Sequence, residues 1–286
     1  MEDKYRKALK ENAFKLSDEA ITEKVNKIIA EKSEENNTVE VLRKIYSCID
    51  LTTLNTTDTK EDIWKFTDKV NTFEGSTPEI DNVAAICVFP NFAKTVRESL
   101  TADVKIACVC GGFPASQTFL EVKIAETALA VLDGADEIDV VLNLGLFLNG
   151  EIEALCEELD EIKEACHEAK LKVILETGAL KTGENINNAS VLALYSGADF
   201  LKTSTGKVYP GASLEAAYVM CLAIKNYYKK NKIRKGIKIS GGVSTVKDAV
   251  NYYTIVKETL GEEWCNNTLF RVGTSSLANV LLKAAN

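Results

Sequence analysis

Histidine occurs once in the 286 residues, as His167. One imidazole excludes zinc sites built on several histidines and any mechanism that needs two. Proline is scarce, at four residues, and no Pro- or Ser-rich linker divides the chain. The eight cysteines, Cys48, Cys87, Cys108, Cys110, Cys156, Cys166, Cys221 and Cys265, form no CxxC pair and sit mostly within apolar runs. In a chain of this size they read as small buried hydrophobes, neither a disulfide framework nor a metal site. No apolar run approaches the roughly 18 residues of a membrane span. The opening MEDKYRKALKENAFKLSDEA lacks the apolar core of a secretory signal, so a cytoplasmic protein is expected. Positive charge is also short: 34 Lys and Arg against 42 Asp and Glu leave a net charge of −8. Such a chain is a poor generic partner for nucleic acid or an anionic membrane, although a local basic pocket could still hold a phosphate. The basic run YYKK (227–230) reads as a helix end, where lysines favour the macrodipole.

What is present is an alternation. Residues 1 to about 40 read as amphipathic helix through Tyr5, Leu9, Phe14, Leu16, Ile21, Val25, Ile28 and Ile29, broken at SEENNT (33–38) before a helical VEVLRKIY. Short β-rich runs then recur: YSCIDLT (46–52), VAAICVF (83–89), VKIACVC (104–110), EIDVVLNL (137–144), LKVILET (171–177), DFLKTST (199–205), GIKISGG (236–242) and LFRVGTS (269–275). Helix-periodic segments separate them, at 118–133, 151–170, 188–197, 213–230 and 245–261. Nearly continuous apolar strands imply burial on both faces, as in a parallel sheet under helices. Eight such units favour an α/β fold of the (β/α)8 TIM-barrel type over a doubly wound sheet, and no GxGxxG follows the first strand. The expected organisation is an N-terminal helical extension over 1–45, packed on a barrel that occupies 46–286.

Catalytic groups of such barrels sit at the carboxyl ends of the strands. Three strands carry a charge where an apolar residue is expected: Asp139 in the fourth, Lys202 in the sixth and Lys238 in the seventh. A mid-strand lysine in a closed barrel must point inward or be buried at heavy cost. Two lysines and a carboxylate converging there suit imine formation. A lysine attacks a carbonyl only as the free amine, and a nearby cation or an apolar pocket lowers its pKa. A purely structural ion-pair network is the alternative for the same three residues. STGK (204–207), SGGV (240–243) and GTSS (273–276) place Gly-rich or hydroxyl-bearing turns after strands six, seven and eight, where backbone N–H groups bind phosphate in barrels. His167 lies far from any strand end and reads as a solvated helix residue, while Trp64 and Trp264 read as packing residues.

At this point the sequence resembles the deoxyribose-phosphate aldolases, class I aldolases that work through a lysine Schiff base. The resemblance rests on IDLTTLN (49–55), AAICVFP (84–90), GADEIDVVLN (134–143), KVILETG (172–178), GADFLKTSTGK (197–207), ISGGV (239–243) and RVGTSSL (271–277), in family order. It implies reversible cleavage of 2-deoxy-D-ribose 5-phosphate to glyceraldehyde 3-phosphate and acetaldehyde, with no metal or organic cofactor. It makes Lys202 the Schiff-base lysine, Lys238 the second lysine that lowers its pKa, and Asp139 the carboxylate that moves protons with water. Asp50, Thr52, Asn55 and Cys87 match positions that line the substrate pocket. Thr205, Gly206, Lys207, Gly241, Gly242, Gly273, Ser275 and Ser276 match the hydroxyl- and phosphate-binding segments. A homodimer is the family expectation.

The chain also departs from the family pattern. Ser244 stands where many members carry a basic residue near the phosphate, which implies weaker phosphate affinity or a larger share for Lys207. The chain ends at LLKAAN, without the tyrosine-terminated tail that some members use in proton transfer, so slower turnover or proton transfer through water alone is expected. A different lysine-imine barrel enzyme, such as a transaldolase or keto-acid aldolase, and a non-catalytic sugar-phosphate-binding barrel are the competing readings.

Overall fold

The computed structural model describes residues 4–285; residues 1–3 of the expected extension and residue 286 of the expected barrel lie outside the described residues. Three helices come first, α1 (Lys4–Glu11), α2 (Asp18–Lys32) and α3 (Val39–Ser47). The barrel follows as β1 (Ile49–Thr52), α4 (Lys60–Phe73), β2 (Ala85–Val88), α5 (Ala93–Ser99), β3 (Lys105–Cys110), α6 (Leu120–Leu132), β4 (Glu137–Val141), α7 (Leu144–Leu148) and α8 (Ile152–Ala165). It continues as β5 (Lys170–Ile174), α9 (Thr177–Leu180), α10 (Gly183–Tyr195), β6 (Phe200–Lys202), α11 (Leu214–Asn231), β7 (Gly236–Ser240), α12 (Val246–Leu260), β8 (Phe270–Thr274) and α13 (Leu277–Ala285). The eight strands are parallel, run in sequence order and close between β1 and β8. This is the (β/α)8 barrel that the alternation of elements implies.

Strand side chains divide between two environments. On β3, Ile106, Cys108 and Cys110 join the large core under the helices. Ala107 and Val109 turn the other way and meet Leu54, Ala85 and Cys87 inside the barrel. All eight cysteines are buried and free, and burial pushes thiols such as Cys48 up to about 12. No helix among the described residues is long and apolar enough to cross a membrane.

Several local expectations need correction. The N-terminal helix is interrupted at residues 12–17, because Ser17 accepts a hydrogen bond from the Ala20 N–H and starts a second helix. Helix α3 continues through residues 45 and 46 and packs on α12 and α13. Helix α10 begins at Gly183, five residues before the apolar run at 188–197, since Thr182 caps the Asn185 N–H. His167 is exposed but lies beyond α8, with a left-handed φ of 47°. Trp264 is buried and donates from Nε1 to the Lys235 carbonyl at 3.0 Å, whereas Trp64 is exposed.

The first three helices lie against the shell. The Tyr5 hydroxyl donates to Asp160 on α8, and the Gly183 N–H donates to Asp18 at 2.8 Å. Ser33 donates to Asn251 at 2.6 Å, and Asn36 donates to Thr254 at 3.1 Å, both on α12.

Candidate active site

Seven charged side chains fill the barrel interior. Asp139 on β4 is the centre: its Oδ2 accepts from Lys202 and Lys238, each at 2.8 Å, and its Oδ1 accepts from Lys172 at 2.9 Å. Lys202 and Lys238 are register partners on β6 and β7, as Asp139 and Lys172 are on β4 and β5, so each pair projects to the same side of the sheet. Lys238 also approaches Asp50 at 2.5 Å and Lys172 approaches Glu137 at 2.5 Å. Arg271 on β8 closes the set, donating to Asp50 at 2.6 Å and to Glu137 at 2.8 and 3.1 Å. Gly273 makes room for this packing: a Cβ there would lie 3.0 Å from Lys238 Cε and 3.1 Å from Ser240 Cβ.

Four cations thus face three carboxylates, an excess of one positive charge that vanishes when one lysine is neutral. The electrostatics select Lys202. Burial lowers its pKa from the ordinary 10.5; Asp139 opposes that shift and the Lys238 ammonium reinforces it. Burial pulls on Lys238 as well, but Asp139 and Asp50 outweigh it and hold Lys238 well above 10.5. Asp139 would be raised by burial alone, yet Lys172, Lys202 and Lys238 hold it well below 3.8. The site therefore separates two chemically identical amines, one poised to lose its proton and one fixed as a cation.

Above the network lies a cavity of about 360 Å³ at the carboxyl ends of the strands, with Lys202 and Lys238 in its wall. Thr52, Asn55, Thr205, Gly206, Lys207, Gly241, Gly242, Gly273, Ser275 and Ser276 line it, and so does Ser244. Asp50 and Cys87 do not line it. Asp50 lies fully buried among Lys238, Arg271 and Lys172, and Cys87 belongs to the apolar cluster inside the barrel. Gly241 and Gly242 turn with φ of 90° and 88°, a left-handed backbone open to glycine. The amides of Gly206, Gly242 and Ser275, one on each of three successive loops, are among the cavity N–H groups that donate to no other described residue.

Sequence reasoning passed over Lys172, Glu137, Arg271 and Glu176. The signal for the first three was the one that found Lys202, a charge at an inward position of a buried strand: KLKVI in β5, EIDVV in β4 and FRVGT in β8. Glu176, buried just past β5, accepts both the N–H (3.2 Å) and the hydroxyl (2.5 Å) of Thr205.

A closed barrel with a lysine of lowered pKa in the wall of a cavity at the carboxyl ends of its strands is an arrangement suited to the aldolase class of (β/α)8 enzymes. The chain belongs to the DeoC/LacD family of aldolases, whose family model matches residues 44–283. The deoxyribose-phosphate aldolases of Homo sapiens and Bos taurus are each 40% identical to it over 247 residues, 82% of this chain and 78% of theirs. Among solved structures, an aldolase named QR15 is 31% identical with a TM-score of 0.68 over 84% of this chain and 95% of its own. The tetrameric deoxyribose phosphate aldolase of Aeropyrum pernix is 26% identical with a TM-score of 0.66, covering 90% of this chain and 96% of that one.

Proposed function

We propose that this chain reversibly cleaves 2-deoxy-D-ribose 5-phosphate to D-glyceraldehyde 3-phosphate and acetaldehyde through an imine on Lys202. The observation that carries the reading is the unequal lysine pair on Asp139, with only Lys202 shifted toward the free amine. In cleavage the neutral Lys202 amine adds to the C1 aldehyde of the open-chain sugar. Asp139 passes the proton released from nitrogen through water to the departing hydroxyl, which leaves as water. Lys238 keeps its proton and sustains the low pKa of Lys202. The protonated imine then accepts the electron pair of the C2–C3 bond as the 3-hydroxyl loses its proton. Glyceraldehyde 3-phosphate departs, and the enamine left on Lys202 is protonated and hydrolysed to acetaldehyde.

The phosphate would sit against the Gly206, Gly242 and Ser275 amides, with Lys207 and Ser276 beside them. Lys207 Nζ donates to the Leu54 carbonyl at 2.7 Å, so its charge is already held at the cavity. Anchoring the remote phosphate orients the reacting carbons over Lys202. The test is incubation of the wild-type protein with acetaldehyde and borohydride, followed by peptide mass mapping beside an assay of 2-deoxyribose 5-phosphate cleavage. One reduced adduct, on the peptide that carries Lys202, is the expected result. An adduct spread over surface lysines, or none on the folded protein, would sink the reading.

A homodimer through α6 and a cytoplasmic location complete the proposal. Phe119, Val122, Leu129 and Leu132 are exposed, the last at 81%, and lie along one side of α6. A contiguous apolar stripe of this kind marks an association surface, and a two-fold axis would pair it with itself. The double substitution Phe119→Glu, Leu132→Glu is expected to shift the mass measured by light scattering from dimer to monomer; an unchanged mass would exclude this face. The buried free thiols suit a reducing compartment.

A further inference from the structure

We infer that Glu176 is a positioning residue for the substrate's phosphate: it fixes the turn at Thr205–Lys207 without touching the ligand. The inference rests on the phosphate reading above.

Glu176 has a left-handed backbone, φ 53° and ψ 60°, uncommon for a residue with a side chain. Strain of that kind persists only where the surroundings over-determine it. The backbone pairing on both sides supplies the constraint: the Leu175 N–H donates to the Lys202 carbonyl and the Thr177 N–H to the Thr203 carbonyl, both at 2.9 Å. The side chain is thereby delivered, buried, beneath the loop that follows β6.

The hydrogen-bond inventory of that loop then leaves little choice. A hydroxyl has one proton to give. Thr205 gives its proton to Glu176 Oε2 and its amide N–H to Oε1, so the hydroxyl oxygen is left as an acceptor, and the Lys207 N–H donates to it at 3.1 Å. Both donors of Thr205 are therefore spent inside the protein. Thr205 lines the cavity but has nothing to offer a phosphate, and its expected role as a direct ligand passes to its neighbours. The Gly206 amide remains free, and the Lys207 ammonium is tied to the Leu54 carbonyl. Glu176 itself is absent from the cavity wall, and each of its carboxylate oxygens accepts from Thr205 beneath the loop.

The test compares the wild type, Glu176→Gln, Thr205→Val and Thr205→Ser. Inorganic phosphate binding is measured by calorimetry, and kcat and KM are measured for phosphorylated and unphosphorylated 2-deoxyribose. Loss of a hydrogen bond to a charged group corresponds to about 10- to 100-fold in an equilibrium constant. Glu176→Gln and Thr205→Val are expected to weaken phosphate binding and raise KM for the phosphorylated sugar within that range. Their kcat and their KM for the unphosphorylated sugar should stay within about threefold of wild type. Thr205→Ser, which keeps the hydroxyl, should restore binding; if Glu176→Gln does not fold, the two Thr205 variants decide the matter. Unchanged phosphate binding in the folded variants overturns the inference, as does an equal loss on both sugars, which would mark a purely structural role. A wild type that binds no phosphate and cleaves neither sugar removes the functional reading, and this inference with it. A wild type that cleaves the phosphorylated sugar beside unaltered variants removes the inference alone.

Discussion

Replacing Lys202 by alanine is expected to abolish the borohydride-trapped adduct and to lower turnover on the order of ten-thousand-fold or more, as loss of a covalent nucleophile does. Neighbouring lysines cannot substitute. Lys238 is held well above 10.5 by Asp139 and Asp50, and Lys172 is likewise raised: burial opposes the shift, but Asp139 and Glu137 outweigh it. Neither offers a free amine near neutral pH. The same electrostatics give the wild type a signature in pH. The rate of trapping should climb as pH rises through the lowered pKa of Lys202 and level off before the ordinary lysine value of 10.5. A limb centred at or above 10.5, or an adduct persisting in Lys202→Ala, would place the reactive amine elsewhere.

Asp139→Asn is expected to cost a large share of the fold's stability. The carboxylate carries three hydrogen bonds from ammonium groups, and breaking a buried pair by removing one partner costs about 3–5 kcal/mol. Denaturant titration at neutral pH measures the loss. The sign with pH follows from the direction of the shift. The Asp139 carboxyl is held below its ordinary 3.8, so its contribution is present above that value and disappears as pH falls through the folded-state pKa. The variant should lie well below the wild type at neutral pH, and the two curves should converge in acid. Kinetics should move in the opposite sense to intuition. Asp139 is what raises the Lys202 pKa, so its removal should shift the trapping limb to lower pH while the rate falls for want of a proton carrier. A stability equal to wild type at neutral pH would contradict the ion network.

Much of this was legible in the sequence, for a reason that also marks its limit. A charge inside an apolar strand of a closed barrel has nowhere to go but inward, so Asp139, Lys202 and Lys238 stood out at once. Lys172 has the same status, but it follows Lys170 in KLKVI, and two lysines opening a run look like a solvated strand edge. Only Lys170 is exposed; one inward step further along the barrel axis, Lys172 is fully buried. Asp50 shows the complementary difficulty. Parity along β1 turns it inward but does not give its depth, which depends on the stagger between strands; it came to rest in the ion network below the cavity. Glu176 carried no sequence signal beyond its place in KVILETG, because a polar residue after a strand reads as loop. The N-terminal break and the early start of α10 were hidden because both are set by single capping hydroxyls, at Ser17 and Thr182, which apolar periodicity does not register.

The contacts of the first three helices bear on how the chain assembles as it is made. The partners of Tyr5, Asp18, Ser33 and Asn36 lie between Asp160 and Thr254, and α3 packs on α13, the last helix of the fold. At roughly 5–20 residues per second of synthesis, the opening helices wait on the order of 10–50 s before the final surface they dock against emerges. The strand ladder closes in the same interval, since β1 pairs with β8. Helices α2 and α3 can therefore complete their docking only once α12 and α13 have been made, in the same interval in which the barrel itself closes.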